Sequence, residues 1–101
     1  MAAKLIIAPE VAQDLAEASA WYESRRTGLG EESLSCVDAC IATILRMPEM
    51  QTDVYKQYRR ALVRRFPDAV FYEHEGQTVT VYAVLHGSRD PEKWRDRLPS
   101  F

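Results

Sequence analysis

Arg64-Arg65-Phe66-Pro67-Asp68-Ala69-Val70-Phe71-Tyr72, followed further on by Val84-Leu85-His86-Gly87-Ser88-Arg89-Asp90-Pro91, decides how this chain folds. Pro67 breaks a β-rich run, because proline has no N–H to give to a strand ladder. Residues 58–65 therefore read as one strand, 69–75 as a second and 78–86 as a third. Gly76-Gln77 separates the last two, and glycine supplies the positive φ that a tight turn needs. In the third strand Val79, Val81, Ala83 and Leu85 alternate with Thr78, Thr80, Tyr82 and Val84. Apolar residues on both sides of its C-terminal half predict an interior strand. A short helical turn over 91–97 closes the chain.

Upstream the period changes from two to helical. Residues 4–8 form a short β-rich segment ended by Pro9, a residue well placed in the first turn of a helix. Val11, Leu15, Ala18 and Tyr22 then mark one helical face. Glu10 and Asp14 suit the positive end of the helix dipole, and Arg25 and Arg26 the negative end. Gly28 is the expected C-terminal cap. A second helix is predicted over 31–47, with Leu34, Val37, Ile41, Ile44 and Leu45 as its apolar stripe and Pro48 as its stop. So short a connection makes the two helices an antiparallel hairpin. Residues 49–57 read as a loop. The order is βααβββ in one domain, 1–101. This is an α+β fold, with a helical hairpin packed on a twisted, mostly antiparallel sheet.

The 101 residues suit one domain with a modest core. No run reaches the roughly 20 apolar residues that span a bilayer, and the stretch before Pro9 is too short for a signal peptide. A cytoplasmic protein is expected. Cys36 and Cys40, four apart on the second helix, share a face, but a disulfide along one helix is a poor geometric fit. They read as two reduced thiols packed against the core. No metal site and no cofactor is expected: no further cysteine or suitably spaced histidine completes one, and His74 between Glu73 and Glu75 reads as exposed. The net charge of −2 hides an asymmetry. Residues 1–53 hold nine acids and four bases, net −5; residues 54–101 hold six acids and nine bases, net +3. Any contact with nucleic acid must rest on a local patch.

Three groups of residues offer chemistry. Lys56, Arg59, Arg60, Arg64 and Arg65 form a basic run. On one continuous strand Arg60 and Arg64 would share a face, and Arg59 and Arg65 the other. Such a run binds phosphate or an acidic partner through the guanidinium fork, or guards an edge strand against aggregation. His86 with Arg89 supplies an acid/base and a cation for a developing phosphorane, the minimum for cleaving RNA. A histidine at a strand end can equally be structural, with Asp90 capping the turn before Pro91. The aromatic residues read mainly as core. Trp94, near Arg89, is the exception and is expected to cover a groove.

The order and spacing of these residues resemble the RelE/ParE superfamily of bacterial toxins, on the ParE side, whose members are often called plasmid stabilisation proteins. Leu15, Ala18, Trp21-Tyr22-Glu23 and Gly28-Leu29-Gly30 match its helical hairpin. Pro48, Tyr58-Arg59-Arg60 and Arg64-Arg65-Phe66-Pro67 match its first sheet strands. Val70-Phe71-Tyr72, His86-Gly87-Ser88-Arg89-Asp90-Pro91 and Trp94 match its last strands and tail. The resemblance implies a cognate antitoxin that wraps the toxin in a hetero-oligomer, and a cell whose growth the free toxin arrests. It also implies one of two actions. ParE-like members poison DNA gyrase without catalysis; RelE-like members cut mRNA on the ribosome. For gyrase, the expected contacts are Arg59, Arg60, Arg64, Arg65, Arg89 and Trp94. For an endonuclease, the catalytic set is His86, Arg89 and Arg65. A third reading is an inactive member that only binds antitoxin. Nuclease members carry a basic residue where this chain has Ala69, and ParE-like relatives an aromatic one at Asp68. Ser33 stands where relatives place Phe, which implies a looser helix–sheet contact.

Overall fold

The computed structural model describes residues 3–86 and 91–99. β1 (Lys4–Ile7) leads into α1 (Glu10–Arg25) and α2 (Leu29–Arg46). β2 (Asp53–Tyr55), β3 (Tyr58–Leu62), β4 (Asp68–Glu75), β5 (Thr78–His86) and α3 (Pro91–Arg95) follow. The strands form one sheet in the order β1-β5-β4-β3-β2. β1 runs parallel to β5, and every other neighbouring pair is antiparallel. The α+β reading and the interior position of β5 hold.

Two apolar layers flank the sheet. On one face Val11 of α1 and Val37, Ile41 and Ile44 of α2 pack on Val63, Val70, Tyr72, Val79 and Val81. On the other, Trp94 and Leu98 cover Tyr58, Ala69, Phe71 and Ala83. β4 is buried on both faces, which is why Ala69-Val70-Phe71-Tyr72 is a continuous apolar run. β1 is an edge, and Leu5, Ile6 and Ile7 stay partly exposed along it.

Several expectations change. Residues 49–57 contain the short strand β2, too brief to show an alternation. β3 ends at Leu62, so Arg64 and Arg65 belong to the turn before β4 and do not alternate across a strand. The regular alternation of β5 fails at a bulge: Tyr72 pairs with Val81 and Phe71 with Ala83, leaving Tyr82 as the extra residue. An extra residue reverses the facing of all that follow. Val79 and Val81 accordingly face the helices, Ala83 the tail, and Val84 the helices again. Trp94 is core rather than an exposed cover: it is 4% exposed and stacks on Phe71 at 5.1 Å.

The helical corner also differs. Arg26 closes α1, and Gly28, at φ 89°, precedes α2 as its N-cap. With no side chain, Gly28 cannot cap the new helix, so Glu23 does. The Glu23 carboxylate accepts from the Gly28 N–H at 2.9 Å and the Gly30 N–H at 3.0 Å. These two bonds hold its carboxyl below the usual range. Gly30 lies so close to α1 that a Cβ there would sit 2.6 Å from the Ser19 carbonyl oxygen. Ser33 is buried, its hydroxyl donating to Gly30 O at 2.7 Å, and leaves no unsatisfied polar atom.

Candidate partner-binding surfaces

The β3 strand and the turn after it distribute the arginines among different tasks. Arg59 points toward α2 and donates from Nη1 to Pro48 O and Gln51 O, at 3.3 and 2.8 Å. Its Nε stands 3.3 Å from Asp53 Oδ1. Tyr72 donates to the same Pro48 carbonyl at 3.0 Å. Arg59 thus ties the segment after α2 to the sheet. Arg60, half-buried, lies on the opposite side of the strand, with Tyr58. Arg64 and Arg65 are exposed, and Arg65 adopts φ 72°, a backbone state that non-glycine residues rarely take. Its guanidinium reaches Glu32 at 3.7 Å, beside the Arg26–Glu32 pair at 3.1 Å.

Arg64 and Arg65 stand at the end of a groove of about 420 Å³ between α2 and β3. Cys36, Cys40, Ile44 and Met47 form its helical wall; Ala61, Leu62 and Tyr72 form the other side. Leu62 is 67% exposed, Met47 50% and Met50 53%, an unusual concentration of large apolar surface. The two thiols are free, as expected from the sequence. Burial pushes the Cys40 thiol up, away from the reactive thiolate. β2 pairs only with Tyr58 and Arg59, so the β3 edge beyond them runs open beside the groove. An apolar floor, a basic end and an open strand edge together suit an extended or amphipathic acidic segment.

A second cavity, about 550 Å³, opens between α1 and the C-terminal end of β5. Its character is opposite. Asp14, Glu17 and Asp68 line it with Trp21, Tyr22, Leu85 and His86. Asp68 and His86 are paired across β4 and β5. The Tyr22 hydroxyl donates to Asp68 Oδ2 at 2.9 Å. Burial first, then the hydrogen bond and charge of Asp68, push that hydroxyl above its ordinary range.

The two described members of the predicted nuclease set stand apart. Arg65 lines the groove, whereas His86 lines the acidic cleft. Arg89 lies outside the described residues. Among the described residues no group of three or more histidine, cysteine or acidic side chains could hold a metal. Sequence reasoning missed the buried acids Asp14 and Asp68. A signal for the first was present: Asp14 falls on the stripe of Val11, Ala18 and Tyr22, where a charge needs a partner.

The model of the ParE toxin of the type II toxin–antitoxin system parDE matches residues 5–91. The chain belongs to the ParE toxin family. A solved structure described as the chromosomal ParDE toxin–antitoxin system from P. aeruginosa superposes with a TM-score of 0.73. That match covers 83% of this chain and 95% of the other, at 10% identity, and so speaks for the fold alone. No curated protein matches the sequence significantly. Membership in a type II toxin–antitoxin family implies an antitoxin partner for this ParE-family chain. Among the described residues no helix is long and apolar enough to cross a membrane.

Proposed function

We propose that this protein arrests bacterial growth by binding DNA gyrase, without catalysis, and that an antitoxin segment lodged in the α2–β3 groove neutralises it. One observation carries the non-catalytic part. His86 shares its cavity with three carboxylates, and the Arg65 that would hold phosphate stands in the other cavity. Carboxylates beside a general base repel a phosphodiester, and Arg65, in the other cavity, does not stand beside His86 to stabilise a developing phosphorane charge. Gyrase as the target follows from kinship with ParE-like toxins. The antitoxin site is argued from the groove: burying Leu62, Met47 and Met50 would contribute about 1.5–3 kcal/mol for each side chain fully covered, and Arg64 and Arg65 favour an acidic segment.

The test is induction of this protein alone in a bacterial host, with DNA and protein synthesis followed by separate pulse labels. An early stop in DNA synthesis with filamentation is the expected result. An early stop in protein synthesis would overturn the reading and return attention to His86, Arg89 and Arg65. Growth without arrest would leave a member that binds antitoxin only.

A further inference from the structure

Asp68 departs from ordinary surface chemistry. It is 6% exposed, yet among the described residues its carboxylate pairs with no cation. Oδ2 holds the Tyr22 hydroxyl. Oδ1 accepts no hydrogen bond among the described residues, and none of their buried side-chain polar atoms is left without a partner. Oδ1 must then reach solvent, and the cleft that Asp68 lines is the opening available to it. Asp14, the other buried acid of this cleft, is already neutralised by Arg97 at 2.7 Å. Among the described residues, the contrast leaves Asp68 as a buried carboxylate facing a cavity without a cation.

We propose that this cleft receives an arginine side chain from a basic segment of a partner protein, with Asp68 Oδ1 as its acceptor. A buried carboxylate without a cation is unfavourable, and an incoming guanidinium offsets that with a charge-assisted hydrogen bond. Glu17 supplies a second negative charge at the cleft. Trp21, 54% exposed, and Leu85 supply an apolar wall for the alkyl stem. The Trp21 ring carries the guanidinium of Arg25 4.4 Å from its centroid. An acidic segment or a nucleic-acid backbone is repelled by the same carboxylates. The site differs from the α2–β3 groove in both place and sign, so the inference goes beyond the proposed function and does not depend on gyrase being the target.

The probe is N-acetyl-arginine methylamide, titrated into the isotope-labelled full chain and followed by NMR. Saturable shifts are expected at the Trp21 indole and the Asp68 and His86 amides, with none from the neutral N-acetyl-glutamine methylamide. Asp68→Asn, which still accepts from Tyr22, should weaken binding about tenfold or more, the usual loss with a charged hydrogen bond. Glu17→Gln, an exposed change that leaves folding intact, should weaken it to a lesser degree. Equal affinity in Asp68→Asn, equal shifts with the neutral analogue, or shifts confined to Met47 and Leu62 would each overturn the proposal.

Discussion

Asp14 and Arg97, 83 residues apart, close the edge of β5 where β1 stops. β1 pairs no further than Val81. Beyond it, the Val84 N–H donates to Asp14 Oδ2 at 3.1 Å, and Arg97 Nη2 donates to Tyr82 O at 3.4 Å. The two side chains meet each other at 2.7 and 3.0 Å. One ion pair thus takes the place of a missing strand and anchors the C-terminal tail to α1.

Arg97→Ala should lower stability by about 3 kcal/mol, because it strands a buried carboxylate. For a domain of this size that is a fall in Tm of roughly 10–20 °C. Asp14→Ala should have a similar effect, and the double variant much less than the sum. Thermal denaturation of all three variants measures the coupling; additive losses would show that the pair does not act as a unit.

Glu23→Ala should destabilise the hairpin by leaving the Gly28 and Gly30 N–H groups without their acceptor. The carboxyl of Glu23 is held below its ordinary 4.5 by those hydrogen bonds. Its contribution is therefore complete above that value and lost as pH falls through the lower, folded-state pKa. The Tm gap between the parent and Glu23→Ala is expected to be constant near neutral pH and to narrow in acid. A gap unchanged down to the acid unfolding limit would contradict the capping role.

Gly30→Ala tests the closeness of the two helices. A methyl group 2.6 Å from Ser19 O forces them apart, at a cost of about 1–3 kcal/mol. Urea unfolding reads it directly. Gly76→Ala is a useful contrast: no atom lies within 4 Å, so any loss there comes from its φ of 60° alone.

Trp94→Ala removes a large side chain that is 4% exposed and should cost about 3–5 kcal/mol. Loss of toxicity in that variant would report unfolding rather than a lost target contact. Circular dichroism separates the two, since a folded but non-toxic Trp94→Ala would argue for a direct contact after all.

Leu62→Glu, at a position 67% exposed, should leave Tm unchanged while weakening the antitoxin complex at least tenfold. Arg64→Glu should act mainly on the association rate and on its salt dependence. Calorimetry and stopped-flow mixing with the purified antitoxin measure both. Full affinity in Leu62→Glu would move the antitoxin elsewhere on the surface.

Residues 78–86, read as a strand from alternation, are β5 as it stands. The helical stripe through Val37, Ile41 and Ile44 is the buried face of α2. Both follow from contacts between near neighbours, so local pattern suffices. β2 escaped because three residues carry too little pattern, and the β5 bulge escaped because it exists only relative to the register of β4. The site was less legible. The arginines read as one basic run are divided: Arg59 holds a loop, while Arg64 and Arg65 edge the groove.

The sequence by itself determined the helical hairpin, the longer strands and the α+β class, because periodicity and punctuation by proline and glycine act over a few residues, and its motifs carried the resemblance to ParE toxins. The tertiary structure alone decided which charges are satisfied. Asp14 found Arg97 near the end of the chain, and Tyr22 reached Asp68 from 46 residues away. Burial and charge pairing depend on what distant segments bring into contact, and no local spacing encodes that.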